Sequence, residues 1–307
     1  MAAMDKRRSA ILAAVSVSVI WGLSFLSTKV AIASLPPMTL ATARFVVAVL
    51  VLLPIAFFMR LDLRFRLRDL PLMAAGGLFG VSLYFLCENN GIALLTASES
   101  SLVIATIPVI TMLVDRAVLK SAIARRSYVG AILSFAGVAL IVAPSLGGAS
   151  ASSIEGFLFM GGAALCWVAY ALVTKPLSGR YSGLSISFWQ CFFGLLGCLP
   201  FAFAEAPTFE GLGPAVILNV LYLGLFCSAA GYLLYIAAMN NLGAGATSVF
   251  LNLVPVVSVV AAYLLLGERL GGMSLAGGAI AVAGVYLATS PGRRSAGGKA
   301  SKRGGPS

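Results

Sequence analysis

Apolar runs about as long as a bilayer is thick recur from one end of this chain to the other, and they constrain the fold more than any other feature. A helix needs roughly 17–25 residues to cross the hydrocarbon core. Ten such runs are read here, at 9–33, 37–59, 70–91, 97–118, 127–143, 154–175, 183–203, 214–238, 244–266 and 272–290. They are continuous and do not alternate, which selects helices over barrel strands. Lipid offers the backbone no hydrogen bonds, so each spanning segment must satisfy its own, as a helix does. Composition agrees. Only 10% of residues are charged and 60% are hydrophobic. Soluble domains carry about a quarter charged residues, so this chain lacks the charge to cover a water-facing surface. The fold class expected is an all-α integral membrane protein.

The loop charges set the number of spans and their direction. Lys and Arg concentrate on the cytoplasmic side of short loops. With ten spans, 18 of the 21 basic residues fall on one side. They are Lys6, Arg7 and Arg8, then Arg60, Arg64, Arg66 and Arg68, then Arg116, Lys120, Arg125 and Arg126, then Lys175 and Arg180, and finally Arg293, Arg294, Lys299, Lys302 and Arg303. This asymmetry predicts cytoplasmic N- and C-termini in a cell inner (plasma) membrane. The net charge of +11 is thereby explained by topology and contact with the lipid bilayer, and no nucleic-acid partner is expected. Ala31-Ile32-Ala33 mimics a signal-peptidase site, but the run 9–33 is too long for a cleaved signal; it is read as a retained first helix.

The chain repeats at an offset of 146–147 residues. Trp21 and Lys29 match Trp167 and Lys175; Ala97, Ser101 and Pro108 match Ala244, Ser248 and Pro255; Gly130 and Gly137-Val138 match Gly277 and Gly284-Val285. Each half holds five helices, an odd number, so the two halves must insert in opposite orientation. The organisation expected is a cytoplasmic N-terminus (1–8), a first five-helix repeat (9–146), an inverted second repeat (147–290) and a basic disordered tail (291–307). Inverted repeats support alternating access, because exchanging the conformations of the halves turns an outward-open cavity into an inward-open one.

These residues resemble the drug/metabolite transporter superfamily, in the branch built of two EamA-type repeats. The resemblance rests on Trp21-Gly22, Phe25, Lys29, Pro37 and Arg44, on Ala97 to Ser101 with Pro108, and on Trp167, Tyr170, Lys175, Pro255, Gly267-Glu268 and Gly277. It implies export of small organic solutes such as amino acids or related metabolites. Two positions depart from symmetry: Arg44 corresponds to Gln190, and Gly267-Glu268 to Lys120-Ser121.

Within the spans, polar and aromatic residues are the site candidates. Arg44 sits about 10 Å into its helix, where a charge costs at least about 2.5–3.5 kcal/mol. It is read either as an anchor for a substrate carboxylate or as one half of a structural ion pair with Glu88 or Glu99. Glu88 is also the one candidate for proton coupling, near the outer surface. Lys29 is expected to snorkel to the interface. Trp21, Tyr84, Trp167, Tyr170, Tyr232 and Tyr235 are candidate cavity walls, with hydroxyl and indole N–H groups left for substrate. Gln190 and Asn252 are further polar candidates. Pro108 and Pro255 interrupt equivalent helices near mid-span, the best sequence pointer to a transport site.

Other chemistries find little support. There is no histidine, and the five cysteines (Cys87, Cys166, Cys191, Cys198, Cys227) all lie in apolar runs, so no metal or other cofactor is expected. No Gly-rich loop ends in Lys-Ser/Thr, so no ATP-binding module is present. The expected function is secondary transport of a small-molecule solute. The alternatives are a channel or sensor, or a membrane-embedded lipid-modifying enzyme.

Overall fold

A computed structural model of the chain describes residues 2–60, 62–119, 125–146, 151–177, 180–207, 212–242 and 250–289. The expected tail at 291–307, and Ala244 and Ser248 of the repeat, lie outside the described residues. Among the described residues every element is helical, and the helices group into ten: α1 (Ala2–Ile32), α2 (Pro37–Phe58), α3 (Leu67–Leu94), α4 (Ala97–Ile104 continuing as Ile107–Leu119), α5 (Arg125–Leu146), α6 (Ala151–Thr174), α7 (Gly183–Ala204), α8 (214–242), α9 (Leu253–Leu266) and α10 (Gly272–Thr289). Leu50, Leu158, Leu165 and Leu218 lie exposed on the helix surfaces. An exposed leucine row is unfavourable in water and at rest against lipid.

The sequence dictates several boundaries directly. Pro37 opens α2 at its first position, where the missing N–H is not needed. Thr96 and Glu99 form a reciprocal capping box at the start of α4, so Glu99 is committed to the backbone. Ser182 caps α7 by accepting from the Ser185 N–H at 3.1 Å. Two features have no simple sequence signal. Residues 78–82 of α3 and 223–230 of α8 are wound as π-helix, and they are equivalent under the repeat.

The contacts between halves obey a pseudo-two-fold. A Cβ added to Gly130 of α5 would lie 2.6 Å from the Gly284 carbonyl of α10. Shifting each partner by 147 residues into the other half gives Gly277 and Gly137, and a Cβ on Gly277 would lie 2.6 Å from the Gly137 carbonyl. In the same way a Cβ on Gly77 would lie 2.6 Å from Gly194 N, and its counterpart contact joins Gly224 to Val47 at 2.5 Å. α5 and α10 run antiparallel, with backbones touching where only glycine fits. The fold is therefore two inverted five-helix repeats.

The two ends of the bundle are held together by different chemistry. At one end lies the basic loop of 60–68. There Asp69, buried, accepts from Arg180 Nη1 and Tyr181 OH, both at 2.6 Å, and Trp189 Nε1 donates to the Leu63 carbonyl at 2.6 Å. At the opposite end two carboxylates of the second half cap helices of the first. Glu205 accepts from Met38 N (2.8 Å), Thr39 N (2.7 Å) and Thr39 Oγ1 (2.8 Å) at the start of α2. Glu268 accepts from Ala97 N (3.0 Å), Ser98 N (3.2 Å) and Ser98 Oγ (2.9 Å) at the start of α4. Lys29 lies at this end too. Instead of snorkelling, its Nζ donates to the carbonyls of Ile92 (2.8 Å) and Leu95 (2.6 Å), capping the C-terminus of α3.

Candidate functional site

Two broken helices frame a cavity between the halves. Pro108 has no N–H to offer the Ile104 carbonyl, and Pro255 none for Leu251. The helix of α4 is interrupted at Ala105 and Thr106, and a turn at Asn252 separates helical residues 250–251 from α9. Ala105 and Asn252 are repeat-equivalent. Thr106 returns its hydroxyl to the Val103 carbonyl at 2.7 Å; Asn252 does not repair its own break, and its Nδ2 is buried with no partner.

The cavity beside these breaks has a volume of about 120 Å³, room for on the order of four waters at about 30 Å³ each. Of the candidates read from the sequence, Trp21, Arg44, Tyr84, Glu88, Pro108, Trp167, Tyr232, Asn252 and Pro255 all line it. Tyr170 and Gln190 do not: Tyr170 packs behind Trp167 at 5.1 Å between ring centroids, and Gln190 Nε2 donates to Thr174 Oγ1 at 2.9 Å against Gly76. Tyr235 likewise backs Trp21, at 5.4 Å. Lys175 is exposed at the end of α6.

The walls are aromatic. Trp21 meets Trp167 at 6.3 Å and Tyr232 at 5.9 Å, edge to face, and Tyr84 meets Trp167 at 5.3 Å. Less of their polar edge is available than the sequence implies. Trp21 Nε1 donates to the Cys227 carbonyl at 3.1 Å, and Tyr84 OH donates to Glu88 Oε1 at 2.7 Å.

Two opposite charges face this space. Arg44 is 5% exposed and Glu88 7%, so both side chains are buried. They form no ion pair. Among the described residues ion pairs are made only by Asp69, with Arg68 and Arg180, and Glu99 stays in its capping box. Arg44 Nε donates to Ser228 Oγ at 3.1 Å, and its guanidinium carbon sits 4.3 Å from the Phe85 ring centroid. Sequence reading missed Ser228 and Phe85. Ser228 lies in the π-wound stretch, where helical periodicity misplaces it. Phe85 is one turn before Glu88 on the same helix, a spacing that could have flagged it.

Comparison with known proteins extends this geometry. The model of the EamA-like transporter family matches twice, over residues 8–143 and 154–290. A probable terminal-alkyne amino-acid exporter of Streptantibioticus cattleyicolor is 32% identical, with 75% of this chain and 80% of that protein covered. A probable amino-acid metabolite efflux pump of Salmonella typhimurium is 30% identical, with 89% and 92% covered. A solved crystal structure superposes with a TM-score of 0.66 over 92% of this chain and 98% of its own, at 19% identity, a likeness of fold alone.

Proposed function

Because the chain belongs to the EamA-like transporter family, a family of multi-pass membrane transporters of small solutes, we propose that it exports amino acids or related metabolites by alternating access. The observation that carries this reading is the cavity at the pseudo-two-fold, lined from both halves beside two equivalent helix breaks. A site on the symmetry axis can be offered to either face by rocking one half against the other. Residues 9–146 and 147–290 are the two moving units.

The export direction and the amino-acid class follow the names of the relatives. The basic loops support an inner-membrane location with both termini in the cytoplasm. The enzyme alternative is set aside by the family. The matching of the family model over both repeats favours a carrier over a channel.

Reconstitution tests the reading. Proteoliposomes preloaded with a radiolabelled amino-acid panel should release at least one member faster than empty-lipid controls, with saturation. Absence of saturable flux across amino acids and their simple derivatives would overturn it.

A further inference from the structure

We propose that Arg44 and Glu88 form a two-point clamp for a zwitterion, with the solute carboxylate on the Arg44 guanidinium and its ammonium on Glu88. The inference rests on the transport reading above and assigns the solute class at the same cavity. Both charges are buried, both line the space, and among the described residues no ion pair joins them. A buried charge without a partner is unfavourable. A structural pair would close on itself, and this one is held apart.

Each residue is held in a way that leaves its binding atoms open. Ser228 takes the Arg44 Nε hydrogen and Phe85 backs the guanidinium. Among the described residues the two Nη groups have no hydrogen-bond partner, and these form the fork that grips a carboxylate in a bidentate way. Tyr84 fixes Glu88 through Oε1, and Oε2 has no donor among the described residues. An ammonium group offers up to three donors and no acceptors, which suits that oxygen. Glu88 cannot hold a carboxylate, and Arg44 cannot hold an amine.

The cavity limits what hangs from the clamp. A volume of about 120 Å³ limits it to one small solute, the size class of an α-amino acid. The aromatic faces of Trp21, Trp167 and Tyr232 favour an apolar side chain. Repeat symmetry does not supply a second clamp: Gln190 stands opposite Arg44 in sequence, carries no charge and donates through Nε2 to Thr174 Oγ1. There is one site, in one orientation.

The test uses the full-length protein in detergent and in proteoliposomes, with L-leucine, its decarboxylated amine (isopentylamine) and its deaminated acid (4-methylpentanoate). Binding is read from quenching of intrinsic tryptophan fluorescence, since Trp21 and Trp167 line the cavity, and transport from inhibition of labelled leucine counterflow. The wild type should bind leucine about tenfold or more tightly than either single-charge analogue, the size of one lost charge-assisted hydrogen bond. Glu88→Gln should abolish the preference of leucine over the deaminated acid while keeping that over the amine, and Arg44→Gln should do the reverse. Equal binding of the three ligands by wild type overturns the clamp without any variant. So does a Glu88→Gln protein whose two ratios are unchanged. Binding with the expected ratios but without flux leaves the clamp standing and removes the transport reading; flux without discrimination does the opposite.

Discussion

The Arg44 side chain gives its Nε hydrogen to Ser228 and sits over Phe85, so charge, plane and direction are all set before any solute arrives. A lysine would keep the charge and lose the fork and the ring contact. Arg44→Lys should therefore raise the KM for counterflow by about tenfold or more, with protein yield and thermal midpoint near those of wild type. On the other side of the cavity, Tyr84→Phe deletes the hydroxyl that holds Glu88 at 2.7 Å. A buried carboxylate loses a partner, at a cost of about 1–3 kcal/mol, and both thermal stability and leucine binding should fall. Either variant behaving as wild type in both assays would contradict the arrangement. The sequence made Arg44 and Glu88 conspicuous because charges in apolar runs are rare. It left open whether Arg44 pairs with Glu88 or Glu99 or anchors a substrate carboxylate, and among the described residues no ion pair forms at Arg44; what a charge touches across a helix interface is a tertiary fact.

At the scale of elements, the helix breaks of α4 and α9 connect local chemistry to the site. Pro255→Ala returns an N–H to the Leu251 carbonyl and mends the helix. The protein should melt higher while its flux falls, because the broken turn that lines the cavity is straightened; mended stability with undiminished flux would show that the break is incidental. Pro108 and Pro255 were readable from sequence since a proline acts through its own backbone. The ten helices, six of them long and apolar enough to cross a membrane among the described residues, were readable for a similar reason: hydropathy is a sum over local residues, and α2 and α7 end within one residue of where it places them. The π-wound stretches of α3 and α8 were not. They rest on tertiary contacts such as Ser82 Oγ with the Gly194 carbonyl at 2.9 Å, and they rotate Ser228 off the face that an α-helical count assigns it. Gln190 was misplaced as a cavity group for a related reason: helix α7 turns it toward Gly76 and Thr174, where a missing Cβ leaves it room.

Considered as a whole molecule, the protein combines a fixed seam with an uneven pair of ends. The α5–α10 seam has no room for a side chain: a Cβ on Gly137 would lie 2.5 Å from the Gly277 carbonyl. Gly137→Leu must push two backbones apart, costing about 1–3 kcal/mol or more, and should lower the thermal midpoint by several degrees, whereas Gly213→Ala, with open space around it, should not. The ends matter differently. Glu205 and Glu268 each bridge from the second half to a helix start in the first, while the repeat-equivalent start of α7 is capped within its own half by Ser182. A machine of two equal halves would idle midway between its two facings. These carboxylates act as a thumb on one pan of the scale. If each cap is worth about 0.5–2 kcal/mol, together they tilt the resting population roughly five- to several-hundred-fold toward the state in which their end is shut. Glu205→Gln with Glu268→Gln should then let a Cys placed at Ser24, on the cavity wall, react faster with an impermeant thiol reagent added at that face. Such a bias would also set a waiting time, since opening that side would part six hydrogen bonds between the halves at once.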